Sequence, residues 1–94
     1  GIIRARYRQS FTTPTLIEPG KIYRYEIDLW VTSNLFKPGH RLRVEISSSN
    51  FPRFDRNPNT GHAFGADAEL ATASQTIYHD RHRASHLLLP VVPR

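Results

Sequence analysis

Apolar and polar residues alternate at period two along most of this chain, and that alternation restricts its architecture more than any other feature. Ile3, Ala5 and Tyr7 interleave with Arg4, Arg6 and Arg8. Tyr23, Tyr25, Ile27, Leu29 and Val31 interleave with Arg24, Glu26, Asp28 and Trp30. Leu42, Val44 and Ile46 interleave with Arg41, Arg43, Glu45 and Ser47. Successive side chains of a strand point to opposite faces, so each run predicts a half-buried strand. Two shorter candidates follow, Ile77 to Asp80 and Ser85 to Val92. In the latter, Leu87-Leu88-Leu89 is apolar on both faces, and Pro90 confines its end to an edge or bulge. Only Asp67 to Ser74 contains good helix formers, and its few apolar anchors predict a turn or loop instead.

Turn chemistry divides these runs. Glu18-Pro19-Gly20 and Lys37-Pro38-Gly39 each precede a run, and the two segments match at Pro, Gly, Arg, Glu and Ile with an offset of 19 residues. Proline fixes φ at the second position of a type II turn, and glycine supplies the positive φ of the third. Two copies are fewer than a repeat array requires, so this is a recurring turn-then-strand grammar. Short strands at this spacing point to an all-β, antiparallel sandwich.

Composition bounds the function. The 94 residues carry no Cys and no Met, with 13 basic and 8 acidic side chains, a net charge of +5 and an isoelectric point near 10.2. Without cysteine there is neither a disulfide framework nor a thiolate zinc site, and stability must come from packing. No apolar run approaches the ~20 residues that span a bilayer, and no signal-peptide pattern opens the chain. The missing initiator methionine leads to the expectation of a fragment of a longer polypeptide, one domain or part of one over residues 1–94. The charge does not form a nucleic-acid signature: Arg24, Glu26 and Asp28 share one strand side, as do Arg41, Arg43 and Glu45. Mixed signs at period two describe ion pairs on a sheet surface, whereas a nucleic-acid module shows a one-sign stripe with stacking aromatics.

Three candidate sites fail on their own chemistry. Asp55-Arg56-Asn57-Pro58-Asn59-Thr60-Gly61 begins like a calcium loop, but its glycine comes one residue late and Ala66 stands where the bidentate Glu belongs. His79, His82 and His86 are crowded by Arg81 and Arg83 in a segment patterned as strand, turn, strand, which disfavours zinc. Ser47-Ser48-Ser49 closes a strand run without the G-x-S-x-G elbow that exposes a nucleophilic serine. No catalytic, cofactor or metal residue is assigned.

A resemblance adds what periodicity does not supply. Gly1-Ile2-Ile3-Arg4-Ala5-Arg6-Tyr7-Arg8, Ile27-Asp28-Leu29-Trp30, Gly39-His40-Arg41-Leu42-Arg43, and above all Phe51-Pro52-Arg53-Phe54-Asp55-Arg56-Asn57 carry it, continued by Asn59-Thr60-Gly61, His79-Asp80 and Ser85-His86-Leu87-Leu88-Leu89-Pro90-Val91. In these strings the chain resembles the C-terminal domain of X-prolyl dipeptidyl-peptidases and cocaine-esterase-like hydrolases. The resemblance implies a jelly-roll, galactose-binding-like β-sandwich, incomplete on its N-terminal side. It also implies a catalytic α/β-hydrolase domain in the same polypeptide, holding the serine triad elsewhere. These residues themselves would then be non-catalytic, and the unpaired strand edges left by missing strands would favour self-association. The parent's compartment is open, with the cytoplasm favoured. The rival reading is a carbohydrate- or ligand-binding module, for which Trp30 on the charged side of its run is the one hint. The interdomain contact candidates are Phe51, Arg53, Phe54, Asp55, Arg56, Asn57 and Asn59. Their arginines could fork onto carboxylates or carbonyls of the neighbouring domain, with Phe51 and Phe54 as apolar anchors. Alternatively, the loop folds on itself, with Asp55 pairing a nearby Arg.

Overall fold

The computed structural model describes residues 1–63 and 65–93. The chain divides into two units, Gly1–His40 and Arg41–Arg94.

In the first unit, the opening alternation does not become a strand. Ala5–Tyr7 forms a single 3-10 turn, closed by Tyr7 N–H on the Arg4 carbonyl at 2.9 Å and Arg8 N–H on the Ala5 carbonyl at 3.2 Å. The cause is Arg8. Its guanidinium donates to the carbonyls of Ala5 (2.9 Å), Thr15 (2.6 Å) and Leu16 (3.4 Å), and lies 4.7 Å from the centroid of the Tyr23 ring. One fork of donors thus satisfies carbonyls that a neighbouring strand would otherwise have bonded. Thr15 N–H reaches the Arg6 carbonyl at 2.8 Å, and Tyr7 stacks on Phe11 at 6.0 Å, so residues 4–16 form one knot around that side chain.

The two Pro-Gly turns form as their chemistry predicts. Gly20 has φ of 78° and Gly39 of 81°, with Lys21 N–H on the Glu18 carbonyl (3.2 Å) and His40 N–H on the Lys37 carbonyl (3.1 Å). Positive φ at the third position combined with this closing bond is the type II arrangement, and glycine holds it without the Cβ clash of other residues. The charged residues after each turn pair in the same way: Arg24 with Glu26 at 2.7 Å, and Arg43 with Glu45 at 3.3 Å. These pairs run along one strand-like run at i,i+2, where cross-strand pairs are expected from the alternation. All four side chains are largely exposed, so each pair contributes little to stability. The run from Tyr23 stops at Trp30, whose φ is 62° and whose N–H is held by the Asp28 carboxylate at 2.7 Å. A large side chain in the left-handed region is a local cost, and the Asp28 bond offsets part of it.

In the second unit, Pro58 and Ala71 close a loop between them. Ala71 N–H bonds the Pro58 carbonyl at 2.8 Å, and Asn59 Nδ2 bonds the Ala71 carbonyl at 3.0 Å. Residues 67–74 are not helical, as their sparse apolar anchors predict. Beyond the loop, His79 and Ala84 form an isolated antiparallel bridge around a tight turn. Asp80 holds that turn with Oδ1 on the N–H groups of His82 (2.8 Å) and Arg83 (2.9 Å), and Arg83 lies 4.3 Å from the Tyr78 ring centroid. A groove of about 330 Å³ opens beside it, lined by Val44, Ile46, Ile77, His79, Ser85, His86 and Leu87.

Apart from that bridge, no sheet ladder forms among the described residues, and none of them is a buried apolar residue. The accessible surface is 9424 Å². Two separately folded units of these lengths would expose roughly 6,700 Å² in total by the usual surface-to-mass scaling. The apolar residues placed by the alternation therefore stand without a covering layer: Val44 is 55% exposed, Ile46 58% and Ile77 48%. Among the described residues, no helix is long and apolar enough to cross a membrane.

Candidate functional site

The loop from Ser49 to Gly61 is built by side chains that close on their own backbone. Ser47 Oγ donates to the Ser49 carbonyl at 2.8 Å, Ser49 Oγ accepts from Phe51 N–H at 3.4 Å, and Phe54 N–H reaches the Asn50 carbonyl at 3.1 Å. Two of the three serines are thus engaged in turn formation. The Phe51-Pro52 peptide is cis.

Six of the sequence-predicted contact residues come together in three pairs. Arg56 lies 5.5 Å from the Phe51 ring centroid, and Arg53 lies 5.7 Å from that of Phe54. Asn57 and Asn59 bond each other, Asn57 Nδ2 to Asn59 Oδ1 at 2.9 Å and Asn59 N–H to Asn57 Oδ1 at 3.1 Å. The second bond holds Asn59 at φ of 62°, a conformation Asn tolerates through such local bonding. Phe51 nonetheless stays 63% exposed, and Arg53, Asp55, Arg56, Asn57 and Asn59 are all exposed, while Phe54 is half-buried. Each guanidinium lies within cation–ring distance of its phenyl ring, on a loop whose residues stay largely exposed. Such a surface can accept carboxylates or carbonyls on its edges and apolar groups on Phe51.

Sequence reasoning missed a second cluster, inside the closed loop. Asp67 Oδ2 accepts from Thr60 Oγ1 and faces His62 Nδ1 at 2.9 Å, while Asp67 Oδ1 accepts from Glu69 N–H at 2.9 Å. The Thr60 hydroxyl and then the Glu69 N–H hold the Asp67 carboxyl below its ordinary value, with His62 adding to the effect. Ligand atoms of His62, Asp67 and Glu69 lie within 4.8 Å of one another, so these three could hold a divalent ion. As folded, Asp67 already serves as the hydrogen-bonding centre of the loop. The i,i+2 spacings Thr60–His62 and Asp67–Glu69 were the only sequence signal, and i,i+2 pairs are too common to single out. The three histidines of the 79–86 segment form no such group among the described residues, and His86 Nδ1 lies 2.8 Å from the Ala84 carbonyl.

A profile of the family described as the X-Pro dipeptidyl-peptidase C-terminal non-catalytic domain matches residues 1–88. The chain is 48% identical over 96 residues to cocaine esterase of Rhodococcus sp. (strain MB1 Bresler), a match covering all of this chain and 17% of that protein. It is 34% identical over 74 residues to a protein of Mycobacterium bovis whose name places it provisionally among serine esterases, covering 79% of this chain and 10% of the relative. The chain therefore spans about a sixth of the first relative's length and a tenth of the second's. No solved structure matches at a significant level.

Proposed function

Because the chain belongs to the family of X-Pro dipeptidyl-peptidase C-terminal non-catalytic domains, we propose that it is the accessory β-sandwich segment of a serine acyl hydrolase. The parent polypeptide would cleave esters or X-Pro peptides, with its nucleophile, base and oxyanion hole in an α/β-hydrolase domain outside these residues. The observation that carries this reading is the 48% identity to cocaine esterase along the whole chain. In this reading the antiparallel sandwich is completed by further strands of the parent. The open Phe51–Asn59 loop packs on the catalytic domain and walls part of the substrate approach.

Chemistry within the chain agrees with an accessory role. Ser47 and Ser49 are engaged in turns, and the Asp67–His62 contact is joined by a threonine hydroxyl donating to the carboxylate itself. A triad needs the reverse order, with the hydroxyl bonded to the imidazole. The test compares p-nitrophenyl acetate hydrolysis by the parent and by residues 1–94 alone. The expected result is turnover by the parent and none above buffer by the 94 residues; turnover by the excised chain would overturn the proposal.

A further inference from the structure

We draw no further inference here: the strongest candidate, the cluster of His62, Asp67 and Glu69 in the loop closed between Pro58 and Ala71, rests on two carboxylates and one imidazole whose arrangement the loop's own hydrogen bonds already explain, and nothing else in the structure points to an ion there.

Discussion

Phe51→Ala in the full-length parent separates a docked loop from one that merely folds on itself. A Phe side chain has on the order of 150–250 Å² to bury. With 63% of Phe51 exposed, on the order of 100–150 Å² remains for a partner to cover. At ~25 cal/mol per Å², covering it contributes roughly 2.5–4 kcal/mol, an upper bound. If the loop is self-contained, the loss is limited to the ring's contact with Arg56, worth about 0.5–1 kcal/mol at an exposed site. Arg56→Ala follows the same logic: about 0.5–1 kcal/mol for the stacked ring, plus about 1.5–3 kcal/mol if the guanidinium also bonds the neighbouring domain. Arg56→Lys keeps the charge and loses the planar fork, so docking predicts only partial rescue. The assay is urea denaturation of the parent, followed in parallel by fluorescence and by loss of ester hydrolysis, with KM measured in buffer. Docking predicts a Phe51→Ala loss of at least ~2 kcal/mol and a raised KM for both alanine variants. A loss below ~1 kcal/mol with unchanged KM would refute it.

Other expectations follow from individual contacts. Gly39→Val puts a β-branched residue at φ of 81° and should cost at least ~1–2 kcal/mol in the parent's urea denaturation; Gly20→Val should do the same. The Thr60 hydroxyl on Asp67 and the His82 N–H on Asp80 hold both carboxyls below their ordinary value, so the bonds they accept stabilise the fold fully once pH lies above the ordinary carboxylate range. This contribution is lost as pH falls through each lowered pKa, and carboxyl carbon NMR should show both groups titrating at lower pH than in the unfolded chain. Isothermal titration with simple sugars should give no heat, because Trp30 is the one aromatic hint of a carbohydrate platform; saturable heat that disappears in Trp30→Ala would favour the ligand-binding reading.

What could be read from the sequence was the chemistry that is complete within a few residues. Pro19-Gly20 and Pro38-Gly39 carry their dihedral requirements in two adjacent residue types, and the structure meets both. The lack of helix at 67–74 was legible for the same reason. Arg8 was not: its role depends on Thr15 and Leu16 carbonyls brought within reach by folding, and a 3-10 turn stands where the alternation of Ile3, Ala5 and Tyr7 predicts a strand. The Asp67 centre was hidden likewise, since its partners Thr60 and His62 lie 7 and 5 residues away. At the contact loop, residue types suggested Arg and Phe acting outward, yet Arg56 on Phe51 and Arg53 on Phe54 also satisfy one another. The alternation did find the residues of the groove. Val44 and Ile46 share one face by period two, and the structure gathers them with Ile77 and Leu87.

The central claim is that these residues serve a serine hydrolase without holding its nucleophile. Labelling the full-length parent with a fluorophosphonate and mapping the modified serine by mass spectrometry tests it most directly. A single labelled serine outside residues 1–94 is expected, with hydrolysis lost in step with labelling. A label on Ser47, Ser48 or Ser49 that abolishes turnover would contradict it.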